Sequence, residues 1–129
     1  MNHPQTAIIP DHCKAGIFIE ADILANRQND IRTACRESLK ALKALQDKYP
    51  EDSLGMTVAF GSDAWAALGH SGEGSEIKPF RPLGGGLAPA TQHDIYVHIQ
   101  SMHQDTAFAL SQSVLAAFGG SIRIADEVH

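Results

Sequence analysis

The run Gly84-Gly85-Gly86-Leu87-Ala88-Pro89-Ala90-Thr91-Gln92-His93-Asp94-Ile95-Tyr96-Val97-His98-Ile99 does most to limit what this chain can become. A glycine-rich loop passes through a proline turn into a segment that alternates. Ile95, Val97 and Ile99 fall on one side; Tyr96, His98 and Gln100 fall on the other. A period of two is the signature of a β-strand with unlike environments on its two faces. One face is aliphatic, and the other carries groups able to hydrogen-bond or titrate.

The rest of the chain builds around that strand. Residues 1–14, with Pro4 and Pro10, are expected to form an arm, and residues 15–129 one domain. Residues 15–22 alternate as a first strand, with Ala15, Ile17, Ile19 and Ala21 opposite Phe18, Glu20 and Asp22. The spacing of Ile31, Ala34, Cys35, Leu39, Leu42, Leu45 and Tyr49 predicts a helix. Asn29 or Asp30 is its expected cap and Pro50 its stop. Residues 54–61 alternate as a second strand. Ser62 is expected to cap a short helix through Trp65 and Leu68, closed by Gly69. A long Gly-, Ser- and Pro-rich connection covers 70–93; loops of that length in compact domains usually serve function. After the third strand at 94–101, a helix starts near Asp105. Its buried stripe is Phe108 or Ala107, Leu110, Val114, Leu115 and Phe118, and Gly119-Gly120 ends it. In the last strand, 121–128, Ile122 and Ile124 oppose Arg123, Ala125 and Glu127.

The order strand, helix, strand, strand, helix, strand is the split βαβ pattern of a ferredoxin-like fold. The expected class is α+β: a βαββαβ unit with a four-stranded antiparallel sheet, the first and third strands central, and both helices on one face. The other face then carries Phe18, Glu20, Thr57, Ala59, Tyr96, His98, Gln100 and Arg123. That mixture is neither a dry core nor a plain wet surface, although antiparallel sheets do often expose one side. It suggests burial against a second sheet, as in half of a dimeric α+β barrel. The complement is either a second copy, giving a homo-oligomer, or a second ferredoxin-like half. Glu20, Tyr96, His98 and Arg123 are the candidate ligand-binding or interface residues.

Composition narrows the partners. The 129 residues carry a net charge of −5 and no basic cluster, which argues against nucleic acid. No apolar run approaches the ~20 residues that span a bilayer, and the first residues lack a signal-peptide pattern. A cytoplasmic protein is expected, with Cys13 and Cys35 as free thiols.

Signals of catalysis are weak. His93, His98 and His103 are five apart, which puts neighbours on opposite strand faces, so a metal site from them is not expected. Gly84-Gly85-Gly86 lacks a phosphate-loop or dinucleotide fingerprint and reads as loop geometry. No Gly-x-Ser-x-Gly or Cys-x-x-Cys is present.

Several stretches together carry a resemblance. They are Ala7-Ile8-Ile9-Pro10-Asp11-His12-Cys13 leading into Ala15-Gly16-Ile17-Phe18-Ile19-Glu20-Ala21, then Val58-Ala59-Phe60-Gly61 with Trp65 and Leu68. Gly86-Leu87-Ala88-Pro89-Ala90-Thr91-Gln92-His93-Asp94-Ile95 with His98-Ile99 is the most specific. Ala117-Phe118-Gly119 and Asp126-Glu127-Val128-His129 follow. In this order and spacing, the chain resembles the N-terminal half of the dye-decolourising (DyP-type) haem peroxidases, of the bacterial B-type kind.

The resemblance implies a fold of two ferredoxin-like halves forming a barrel-like unit. It implies haem b as cofactor, seated mainly in the C-terminal half. There the family carries a Gly-x-x-Asp-Gly motif with a distal aspartate, a proximal histidine and a distal arginine. None of these maps onto a position here, so no catalytic residue, axial ligand or metal ligand is carried over, and His98 does not match the proximal histidine. The expectation is a peroxidase N-terminal domain, in a family that oxidises dyes and aromatic substrates with hydrogen peroxide, seen without its haem-ligating half. The alternatives are a stand-alone dimeric α+β barrel that binds a small ligand or haem, and a free-standing enzyme using the cluster around Glu20, Tyr96, His98 and Arg123.

Overall fold

A computed structural model of the chain describes residues 3–8 and 12–129. Met1, Asn2 and the Ile9-Pro10-Asp11 part of the arm lie outside the described residues. The elements are β1 (Ala15–Ile23), α1 (Gln28–Lys48), β2 (Gly55–Phe60), α2 (Ser62–Trp65), β3 (Ile95–Ser101), α3 (Gln104–Phe118) and β4 (Ile122–Val128). The strands form one antiparallel sheet in the order β2-β3-β1-β4. This is the expected α+β, ferredoxin-like arrangement, with β1 and β3 central.

The core lies between the sheet and the helices. Ile17, Ile19, Ile95, Val97 and Ile99 are nearly or fully buried, against Ile31, Ala34 and Leu42 of α1 and Ala107, Leu110, Val114 and Phe118 of α3. Small buried residues on both helices, Ala34 and Ser38 facing Ala107 and Ser111, suit two helices that pack closely on each other.

Three local expectations change. On α1 the buried line is Ile31, Ala34, Ser38 and Leu42, while Leu39 is 57% exposed and Tyr49 is exposed. The helix turns Ser38 rather than its apolar neighbour inward, because a short side chain fits where α3 crosses. On α3 the stripe runs through the Ala107 alternative, as Ala107 is buried and Phe108 is 47% exposed, so that expectation stands. The caps also differ. Arg27 precedes α1 and Gly61 precedes α2, with no side-chain cap at either; Asn29 accepts from Arg32 and Ser62 donates to Asp63. Asp30 instead pairs with Arg27 at 3.0 Å, a carboxylate in the first turn that favours the positive end of the helix.

The third change is in β4. Glu20 pairs with Asp126, but Ala21 pairs with Ile124, so Ala125 is an extra residue on that strand. The bulge reverses the alternation beyond it. Ile122 and Ile124 keep the helix side, as expected. Asp126 and Val128 then join the register of Glu20 and Phe18, and Glu127 moves to that of Ile19.

Two details protect the edges. Gln5 accepts from Val58 N–H at 2.7 Å and donates to Val58 C=O at 3.0 Å. The Thr6 hydroxyl accepts from Met56 N–H at 3.0 Å and donates to its C=O at 3.4 Å. The arm thus occupies backbone groups that an edge strand otherwise leaves open. A Cβ on Gly55 would stand 2.7 Å from Thr6 C=O, so this contact requires glycine. In the long loop, Gly84, Gly85 and Gly86 all take positive φ (60°, 65° and 99°), closing a turn in which Leu83 and Ala88 exchange backbone hydrogen bonds. Among the described residues no helix is long and apolar enough to cross a membrane.

Candidate functional site

The sheet face away from the helices is open. Phe18, Glu20 and Asp22 project from β1, and Tyr96 and His98 from the neighbouring β3, in the register Phe18 with His98 and Glu20 with Tyr96. The Phe18 and His98 rings stack with centroids 4.7 Å apart, and Tyr96 lies 6.3 Å from Phe18. This row of rings is half-exposed; Phe18 keeps 37% of its surface in solvent. Thr57 and Ala59 flank it on β2. Gln100, also assigned to this face, is buried at 8% exposure.

Partial burial shapes the chemistry of the row. It pushes the His98 imidazole below its ordinary value, toward the neutral form. Burial, and then the charge of Glu20, push the Tyr96 hydroxyl up, so it stays protonated and able to donate. Thr57 Oγ1 is buried with no hydrogen-bond partner among the described residues.

A second group closes the upper end of this face. Asp22 Oδ1 lies 2.9 Å from His93 Nδ1, and Asp22 Oδ2 accepts from Arg123 Nη2 at 3.0 Å. A carboxylate only accepts, so His93 Nδ1 is the protonated nitrogen here. The hydrogen bond from His93, then that from Arg123, hold the Asp22 carboxyl below its ordinary value. His93 Nε2 faces Glu20 at 3.8 Å. Next to it, Asp94 Oδ2 accepts from Ile23 N–H at 2.9 Å, and Asp94 C=O accepts from Gly61 N–H at 2.9 Å. The His93-Asp94 pair therefore ties the end of the long loop to β1 and to the end of β2.

Of the four candidates, Glu20 and Tyr96 are brought together across β1 and β3. Arg123 joins Asp22, and His98 joins Phe18. Among the described residues no hydrogen bond or ion pair links His98 to Glu20 or Arg123. The residue missed as a partner is His93. Its neighbour Asp22 is 71 positions away, and only the knowledge that β1 and β3 run antiparallel side by side brings the two ends together.

Between the loop and the sheet lies an open cleft of about 500 Å³, lined by Glu20, Phe60, Phe80, Pro89, His93 and Tyr96 among others. The remaining histidine of the spaced trio is elsewhere. His103 Nδ1 meets Asp52 at 2.9 Å, and Asp52 also accepts from the Thr106 hydroxyl. The Thr106 hydrogen bond, followed by that of His103, keeps the Asp52 carboxyl low. The three histidines thus occupy three separate settings. Among the described residues no cluster of three or more His, Cys, Asp or Glu is arranged to hold a metal ion.

The fold and this face define a ferredoxin-like half-unit, α+β, with one sheet face unclad. The chain belongs to the DyP-type peroxidase family: residues 5–129 match the model of the Dyp-type peroxidase N-terminal domain. It is 32% identical over 128 residues to the dye-decolorizing peroxidase of Mycobacterium tuberculosis, covering 98% of this chain but 38% of that protein. It superposes on the encapsulated DyP-type peroxidase of Mycobacterium smegmatis with a TM-score of 0.89 at 29% identity, covering 98% of this chain and 42% of that one. A variant of DypB from Rhodococcus jostii RHA1, solved in complex with heme, matches with a TM-score of 0.82 at 25% identity, again over 98% and 42%. The family is haem-dependent, and this chain spans about two fifths of the length of these relatives. What matches is their N-terminal part.

Proposed function

We propose that this chain serves as the N-terminal half of a haem peroxidase that oxidises dyes and aromatic compounds with hydrogen peroxide. Its own contribution is structural. Residues 15–129 form the folding unit, Gln5 and Thr6 of the 1–14 arm guard an edge, and the open face with Glu20, Tyr96, His98 and Arg123 is the surface that a second ferredoxin-like half covers. The observation that carries this reading is the half-exposed row Phe18, Tyr96 and His98 in the middle of the sheet. Rings there gain by burial against a second apolar layer. The loop adds to that surface: Phe80, 48% exposed, borders the cleft beside it with Glu20, His93 and Tyr96.

The histidines of the open face do not fit a haem by themselves. Haem iron needs an axial donor with a free lone pair and open space in front of it. Both ring nitrogens of His93 face carboxylates, at 2.9 and 3.8 Å. The His98 ring lies flat on Phe18. Arg123, a natural partner for a propionate, is paired with Asp22. We infer that the axial ligand comes from outside this chain, and that no peroxide step runs on its residues.

A second reading rests on the cleft of about 500 Å³, a size ordinary for small-molecule sites. In it the chain pairs with its own copy and encloses a small ligand. Titration with hemin separates the readings. The structural half gives no protein-bound Soret band. Stoichiometric haem uptake without dye oxidation supports the binding module, and peroxide-dependent dye oxidation by this chain alone overturns both.

A further inference from the structure

On the helix side, away from the open face, a notch of about 320 Å³ lies between α1 and the wide turn Ala66–His70 that follows α2. Its floor and wall are apolar. Ile31 and Leu68 are buried, the half-buried Phe60 and Trp65 rings stand 5.9 Å apart, and His70 stacks on the indole at 4.2 Å. Its rim is cationic. Arg32 and Arg36 sit one helical turn apart on α1, where like charges repel.

Charge pairing elsewhere on α1 makes that rim unusual. Arg27 pairs with Asp30, Lys40 with Glu37 and Lys43 with Asp47. Among the described residues, neither Arg32 nor Arg36 has a carboxylate within ion-pair distance. Arg32 instead donates to Leu68 C=O and to Asn29 Oδ1, which holds its guanidinium across the mouth of the notch. Arg36 donates to Thr33 Oγ1 at 3.1 Å, and its guanidinium carries further N–H donors. On the other side, Glu73 faces His70 at 3.4 Å. In a chain of net charge −5, two guanidiniums with no acid partner among the described residues, beside an apolar wall, are a local reversal of sign.

We propose that the notch, where the Phe60 and Trp65 rings stand beneath Arg32 and Arg36, binds a small aromatic carboxylate. The flat ring packs in offset or edge contact against the Phe60 and Trp65 rings, the arrangements aromatic pairs prefer over a face-to-face sandwich. The carboxylate accepts from the planar guanidinium fork, the pairing for which arginine is shaped. The anion also relieves the Arg32–Arg36 repulsion. Phe60 borders both this notch and the cleft beside the open face, but Arg32, Arg36 and Trp65 do not line that cleft, so the site stands or falls independently of the function proposed above.

Trp65 is the single tryptophan of the chain, so its fluorescence reports the notch directly. The probe is benzoate, compared with neutral benzamide and with aliphatic hexanoate on the full chain. Benzoate is expected to quench Trp65 saturably, with benzamide and hexanoate at least tenfold weaker. Arg36→Gln is expected to weaken benzoate about tenfold with an unchanged thermal midpoint, since Arg36 is an exposed residue outside the core. As a second readout, benzoate should slow alkylation of Cys35, which borders the notch, by neutral iodoacetamide in a Cys13→Ser background. Non-saturable quenching, benzamide or hexanoate binding as tightly as benzoate, or an Arg36→Gln variant that binds like the parent would each overturn the proposal.

Discussion

His93 and Asp22 stand 71 residues apart in the chain and 2.9 Å apart in the fold, ring Nδ1 to carboxylate Oδ1. With Arg123 on the other carboxylate oxygen, Asp22 joins the end of the long loop to β1 and β4. Three elements that carry the open face are thus held at one corner by a single side chain.

Asp22→Asn tests that corner. The loss expected near neutral pH is about 1 kcal/mol, the usual scale of a partly exposed charge-assisted hydrogen bond. Because the folded carboxyl is held below its ordinary value, its contribution is present above the unfolded value of about 3.9 and is lost as the pH falls through the folded one. Denaturant titrations of both proteins should therefore differ at pH 7 and converge below about pH 4.

His98 gives the second pH dependence. Burial lowers its folded value, so the unfolded chain takes up a proton more readily as the pH drops below about 6.5. Stability should fall from pH 7 toward pH 5.5. Replacing His98 by Gln should flatten that slope in thermal melts.

The arm is tested at the edge strand. Replacing both Gln5 and Thr6 by Ala removes the partners of Met56 and Val58. The amide hydrogens of those two residues should exchange at least tenfold faster, while those of the central Val97 stay protected. The stability cost should be about 1 to 2 kcal/mol for the lost hydrogen bonds.

The core stripe separates two leucines that look equivalent in the sequence. Leu110→Ala, at a fully buried position, should cost about 3 kcal/mol, as for other buried leucines cut to alanine. Leu39→Ala, at 57% exposure, should fall within about 0.5 kcal/mol of the parent, as surface changes do. Urea denaturation midpoints read both.

Strand alternation made the sheet legible: Ile17, Ile19, Ile95, Val97 and Ile99 are buried as their period implies. The two helices were legible from their stripes, but not their rotation to within one residue. Ser38 is inside and Leu39 outside because the crossing with α3 selects size over polarity, and size complementarity between distant segments leaves no local pattern. The β4 bulge escaped for the same reason. Ala125 is extra only relative to its partner strand, so the placement of Asp126 and Val128 beside Glu20 and Phe18 depends on a register that no single strand encodes. At the candidate site, Glu20 and Tyr96 came together as cross-strand neighbours. The His93 link to Asp22 was missed because it starts just before the strand, where alternation no longer says which way a side chain points.

The central claim is that the face bearing Phe18, Tyr96 and His98 is an interface. Sedimentation equilibrium of the isolated chain tests it most directly, because a second copy is then the only available cover. We expect reversible association, at least tenfold weaker in Ala59→Arg and Tyr96→Lys, with thermal midpoints close to the parent. A parent chain that stays monomeric at low temperature and high concentration, or variants that unfold as monomers instead of losing association, would contradict it.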